Sequence, residues 1–325
     1  MSMRGAAGAA VAACAIGAGV WGLGSPGGLG SGIAGAAAAA RAPGAGAPAA
    51  AGPAAGGPAA RAVATGTVSV LFAGSLAELM EHDIGASFQR ADGYAFQGFA
   101  GGSTELASEI KGGVRRGDVF ISASAKADQA LEGPANGRWV SWYSTFMGSP
   151  LLLAYNPHSR FGAELRRGVP WYRVLTQSGI RVGRTDPKLD PKGVLTVEAV
   201  ENASKKLRDP SLARALSSFE IYPETGLVGR LQAGQLDAGF FYAVEVKTAN
   251  LASVSLTPVY KYADYTATIL GGASDPAGAA AFIGYLLGAG RKHALQINGL
   301  APIKPQFSGA ASSVPPALRG LVGAR

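Results

Sequence analysis

The sequence predicts an α/β fold with mainly parallel strands, beginning near residue 66. Short apolar runs alternate with segments in which apolar residues recur every three or four positions, the pattern of strands laid between amphipathic helices. Several strand-to-helix joints carry Gly, Ser, Asp or Glu where a helix start would need them. From about Thr65 to about Ser308 there are about 240 positions, enough to bury a core in one or two domains.

The chain opens differently. Arg4 precedes an uncharged Ala/Gly-rich stretch from Gly5 to Gly24, which has the charged start and apolar middle of an export signal. Cys14, the only cysteine, closes "VAAC" and resembles a bacterial lipoprotein box, so lipidation at Cys14 is one expectation. Cleavage at a later small-residue site and retention as an uncleaved anchor are the others, since roughly 20 apolar residues just span a bilayer. Residues 25–66 are mostly Gly, Ala and Pro with two arginines, a composition that cannot offset the entropy of ordering and reads as a disordered tether. The folded part then holds no cysteine, hence no disulfide or thiol nucleophile.

Lys and Arg total 29 against 21 Asp and Glu, and the three charges before Val63 (Arg4, Arg41, Arg61) are all basic, which leaves 26 against 21 for the remainder. That surplus is mild and without basic runs, so nucleic acid is not an expected partner.

The first element after the tether is a strand, Val68 to Phe72, followed by "AGSLAELMEHDIGASFQ", where Leu76, Leu79, Met80, Ile84 and Phe88 form one helical face. Ser75-x-x-Glu78 has the form of a capping box, so Ser75 reads first as the cap of that helix. A strand at Ala95 to Phe99 leads into "AGGSTELASEI", with Ser103 ahead of Leu106 and Ile110; a strand at Ile180 to Val182 leads into "GRTDPKLDPKG", with Asp190 before Pro191. Proline suits the first helical position, and Asp190 suits the cap before it. Glu224 and Thr225 open a fourth helix in "YPETGLVGRL". Each joint alone is ordinary capping. Four on one sheet system suggest helix N-termini converging on a shared cleft, where unpaired N–H groups and partial positive charge would hold a small anion.

Five motifs in this order, "LFAGSL", "GGSTELASEI", "GDVFISASAKAD", "GRTDPKLDPKG" and "LQAGQLDAGFFYAVE", resemble the periplasmic molybdate/tungstate-binding proteins of ABC importers over about Val68 to Pro305. The resemblance implies a two-lobed, type II periplasmic-binding fold with two interlobe crossovers. Its lobe I would be residues 67–150 plus 253–308 and its lobe II residues 151–252, leaving 309–325 as a C-terminal tail. It further implies closure on the oxyanion by a hinge motion, with a membrane permease and an ATPase as partners. We expect a monomer with no cofactor beyond the bound molybdate or tungstate.

Position by position, the resemblance assigns Ser75 and Ser103 as hydroxyl donors to the oxyanion, supported by the backbone of Gly74, Gly102, Lys192 and Thr225. Tyr242 matches a tyrosine that donates to it in the bacterial branch. Asp190 and Glu224 fall where the archaeal-type branch has carboxylates that bind Mo or W directly. Two carboxylates would repel a dianion unless their oxygens become ligands and raise the metal from four- to six-coordinate, an expansion that sulfate and phosphate cannot follow. The plainer reading stays open: Asp190 is also a good cap, and Glu224 suits a helix first turn. Lys192 stands where archaeal-type members often have Cys.

No enzyme is expected. His82, His158 and His293 are scattered without metal-ligand spacing, and neither a GxSxG elbow nor a GxxxxGK[ST] loop occurs. Arg116-Gly117-Asp118 spells an adhesion tripeptide, but Asp118 begins a motif-matched strand. Trp139, Trp142 and Trp171 with Tyr143 and Tyr172 look like one satellite aromatic cluster. Alternatives to molybdate/tungstate transport are another small oxyanion, sulfate or phosphate, and a cell-surface sensory domain without an importer.

Overall fold

The computed structural model describes residues 66–324. The export signal, Cys14 and all of the tether up to residue 65 lie outside the described residues. Ten strands make one mixed sheet system: β1 (Thr67–Ala73), β2 (Ala95–Gly101), β3 (Val119–Ser122), β4 (Trp142–Tyr155), β5 (Val182–Arg184), β6 (Glu220–Ile221), β7 (Ala238–Tyr242), β8 (Ala252–Ser255), β9 (Tyr262–Ile269) and β10 (Ala301–Gly309). Their order is β2-β1-β3-β9-β4-β7-β5-β6, with β8 and β10 also on β4.

β4 divides this system. Its first part pairs antiparallel with β9 and β10, and from Leu151 onward it pairs antiparallel with β7 and β8. Fourteen residues at about 3.3 Å each are long enough to serve both halves. The chain leaves the first half along β4 and returns between β8 and β9, which gives the two crossings of a two-lobed type II fold.

The outer strands are parallel as expected, β1 with β2 and β3, and β5 with β6 and β7. β4 runs antiparallel to all four strands it pairs with, β7, β8, β9 and β10. β8 pairs with Leu152–Tyr155, so residues 253–255 belong with the second half, although the expected boundary placed them in the first.

Residues 309–324 do not hang free as the word tail suggests. Val314, Leu318 and Val322 are buried, and Ser144 Oγ donates to the Val322 carbonyl at 2.8 Å. Their apolar side chains complete the core beneath β4 and β10.

Alternation along the strands sends side chains to both faces. Val70 and Phe72 join the large central cluster, while Leu71 joins Leu106, Ile110 and Phe120 on the other face of the first half. In the second half Ala154, Leu227 and Phe241 cover the corresponding face. The same alternation splits the expected aromatic cluster. Trp142 stacks near Phe307 in the central core, and Trp171 meets Tyr172 there, whereas Tyr143 and Trp139 pack on the opposite face. Asp118 is buried: its carboxylate accepts from the Ser69, Ser274 and Asp275 amides, so Arg116-Gly117-Asp118 ties a loop to β1 and presents no adhesion acid.

Candidate functional site

The helical run after β1 starts at Gly74, and the helix after β2 spans Ser103–Lys111. From the second half come the helices Pro191–Leu207, Glu224–Gln232 and Ala243–Thr248. Their N-terminal ends meet. A Cβ added at Gly74 would lie 2.8 Å from Glu224 Oε2, and one at Gly102 would lie 2.5 Å from the Leu189 carbonyl oxygen. The Glu105 amide donates to that same Leu189 carbonyl at 2.9 Å. Glycine at 102 therefore lets two backbones touch across the cleft, and glycine at 74 leaves room for the Glu224 carboxylate.

Ser75 does not cap its helix. Its side chain makes no cap hydrogen bond; Oγ lies 2.9 Å from Tyr265 Oη, and Glu78 is exposed beside His82. The capping box fails because the start of this helix is buried against β9, where the tyrosine is a better-placed partner. Ser103, also fully buried, accepts from the Ala123 amide at 3.0 Å.

Asp190 caps its helix with one oxygen and keeps the other free. Its Oδ1 accepts from the Lys192 amide at 3.1 Å, capping a helix that begins with Pro191, while Oδ2 is buried with no partner. Glu224 opens its helix with both oxygens buried and free of hydrogen bonds. Tyr242 Oη is likewise buried and unpartnered. Buried polar atoms without partners are costly, so three of the five expected anion contacts present unsatisfied oxygen.

Lys192 contributes its side chain as well as its backbone. Fully buried, its Nζ lies 2.7 Å from Glu245 Oε1 and 3.4 Å from Glu224 Oε1, the second an ion pair without a directed hydrogen bond. Glu245 in turn accepts from the Tyr242 amide at 2.8 Å. Burial raises the Glu224 carboxyl to about 8, helped by the negative charge of Asp190. Burial also raises Asp190 and Glu245, against the opposing charge of Lys192. Burial by itself would lower the Lys192 ammonium, but Glu245, Glu224 and Asp190 together hold it above the usual lysine range. Burial pushes the phenols of Tyr242 and Tyr265 far up, so both stay donors.

Glu224 borders several cavities, two of which hold most of the candidate residues. One of about 60 Å³ is bordered by Gly74, Ser75, Thr225 and Glu245; the other, about 180 Å³, by Gly102, Thr185, Asp190 and Pro223. Ser75, Asp190, Glu224, Gly74, Gly102 and Thr225 thus line one cleft, Lys192 lies beneath Glu224, and Ser103 follows Gly102 into its wall.

Sequence reasoning did not find Tyr265 or Glu245. Tyr265 sits 190 residues from Ser75 on a strand with no local mark of function. Glu245 stands three residues after Tyr242, at the position where a carboxylate can reach back to the start of its own helix, and that spacing was a usable signal. Among the described residues no cluster of His, Cys, Asp and Glu is arranged to hold a metal cation.

Two sheet halves joined by two crossings, with helix starts from both halves on one cleft, define a binding protein of the two-lobed type II periplasmic class. Residues 68–301 match the family model of bacterial extracellular solute-binding proteins. The chain belongs to that family. A Haloferax volcanii protein named as an ABC transporter molybdenum-binding protein is 34% identical over 223 residues, covering 68% of this chain and 67% of that one. The molybdate/tungstate-binding protein of Thermococcus kodakarensis is 22% identical over 230 residues, 62% of this chain and 64% of the other. Among solved structures, the periplasmic molybdate-binding protein of Azotobacter vinelandii superposes with a TM-score of 0.57 at 19% identity, covering 74% of this chain and all of that one; that likeness speaks to the fold.

Proposed function

We propose that this chain captures molybdate or tungstate in the interlobe cleft and delivers it to the permease and ATPase of an ABC importer, working outside the cytoplasm. The observation that carries this reading is the gathering along one cleft of Ser75 and carboxylate oxygens that accept no hydrogen bond, Asp190 Oδ2 and both oxygens of Glu224, together with the buried, unpartnered hydroxyl of Tyr242. A tetrahedral oxyanion of sulfur or phosphorus gains nothing from carboxylates facing its centre, whereas Mo and W can take their oxygens as ligands. The hydroxyls of Ser75, Ser103 and Tyr242 then hold the oxo groups, and the helix starts supply partial positive charge. The names of the Haloferax and Thermococcus relatives support the same cargo.

Closure follows from the contacts at Gly74 and Gly102: the lobes meet where the anion would bridge them, so the anion favours the closed arrangement. Lobe I would comprise β1–β3, β9, β10, the first part of β4 and the C-terminal helices, and lobe II the remainder from Leu151 to Ser255. Attachment to a membrane through Cys14 suits a protein that must stay near its permease.

Titration calorimetry of the full chain with molybdate, tungstate, sulfate and phosphate tests this. Tight binding of the first two alone is expected, and binding of sulfate or phosphate in their place would refute it.

A further inference from the structure

We infer that Lys192 sets the charge selectivity of the cleft: its buried ammonium offsets one of three carboxylates, so that lobe II ranks a tetrahedral dianion above a monoanion of the same shape. This rests on the oxyanion reading above and adds to it a residue with a defined role.

Lys192 is the only lysine or arginine among the described residues that is buried. Lysines usually bury their stems and leave the ammonium in water; here the whole side chain is enclosed. Its Nζ touches Glu245, lies within ion-pair distance of Glu224, and sits 5.7 Å from the rings of Phe241 and Tyr242. The residue therefore joins the starts of three helices, through its own amide to Asp190, through Nζ to Glu224, and through Glu245 to the Tyr242 amide.

The wall it serves holds Asp190, Glu224 and Glu245, all buried. The negative charge these carboxyl groups carry would, without a counter-charge, repel any anion, and a doubly charged one twice as strongly as a singly charged one. One ammonium placed against two of them reduces that penalty most for the dianion. It also holds Glu224 by one oxygen, leaving Oε2 toward Gly74 and the first lobe. Removing the cation while leaving Glu245 should leave an uncompensated buried charge; removing both together restores the wall's net charge.

The test titrates the full-length protein with tungstate and with perrhenate, a tetrahedral monoanion of similar size, and reads the ratio of the two dissociation constants. The wild type is expected to prefer tungstate. Lys192→Met should cut that preference about tenfold or more, Lys192→Arg should retain most of it, and Lys192→Met with Glu245→Gln should recover it. Glu245→Gln alone should increase it, and this variant keeps the proposal testable if Lys192→Met does not fold. Equal losses for both anions in Lys192→Met, or an unchanged ratio in Glu245→Gln, would show a merely structural lysine and overturn the inference. A wild-type protein that binds no tetrahedral oxyanion would instead overturn the oxyanion reading and this one with it.

Discussion

Replacing Gly102 with Ala should impair ligand capture while leaving the fold intact. Gly102 sits at φ −59°, ψ 129°, a conformation open to any residue, so alanine strains nothing within its own lobe. Its Cβ would nevertheless lie 2.5 Å from the Leu189 carbonyl oxygen and 3.2 Å from the carbonyl carbon across the cleft. The obstacle is backbone, which cannot swing aside as a side chain could, so the lobes must separate slightly. Separation weakens the 2.9 Å bond from the Glu105 amide to Leu189. A lost hydrogen bond costs about 1 kcal/mol and overpacking about 1–3 kcal/mol. The closed state then loses about 2–4 kcal/mol, and affinity falls by about 30- to 1,000-fold. Stability should hold or rise slightly, because alanine restricts the unfolded chain by about 0.4–1 kcal/mol relative to glycine. Calorimetric titration with tungstate and ligand-free thermal melts measure the two quantities separately. Unchanged affinity would refute the claim that this contact belongs to the binding-competent state, and a collapsed melting temperature would place the clash inside one lobe.

Three further outcomes are expected. Glu224→Gln should admit sulfate if the carboxylate excludes it, and a sulfate titration with no binding would remove that role from Glu224. Tyr265→Phe should weaken tungstate binding, because Ser75 Oγ loses the partner 2.9 Å away that orients it; a Ser75→Ala variant should show no further loss when combined with it, and additive losses would show that the two act independently. Asp128 gives the pH dependence: its Oδ2 accepts from Ser122 and Thr266 while Oδ1 is buried without a partner, and burial raises its pKa from 3.8 to about 7. The folded state thus holds a proton that the unfolded state has released, so this contribution to stability is present below about pH 4 and is lost as pH rises toward 7, by about 4 kcal/mol in all. Asp128→Asn should flatten that part of the melting-temperature profile, and an unaltered profile would show that Asp128 does not titrate there.

Much of the cleft was legible because its parts are local. A strand that stops on Ala-Gly-Ser, a Gly-Gly-Ser turn, an Asp-Pro pair and a Pro-Glu-Thr start each announce a helix N-terminus through chemistry confined to four or five residues, and the order of the motifs carried the family. The sequence by itself therefore determined the α/β layering, the four helix starts and the candidate residues Ser75, Ser103, Asp190 and Glu224.

Only the tertiary structure decided what each of them contacts. Ser75 satisfies a capping pattern in sequence, yet it turns to Tyr265, because a buried helix start exchanges its local partner for one on β9. The chain's direction through β4 and back through β8 and β9 makes the middle of the sheet antiparallel, which no local pattern of apolar residues could specify. Lys192 was expected to lend only its backbone, and its side chain becomes the centre of a buried cluster only when three helices of the second lobe bring Asp190, Glu224 and Glu245 around it. Electrostatics and close packing depend on distances between residues far apart in the chain, and those distances exist only once the lobes have folded and met.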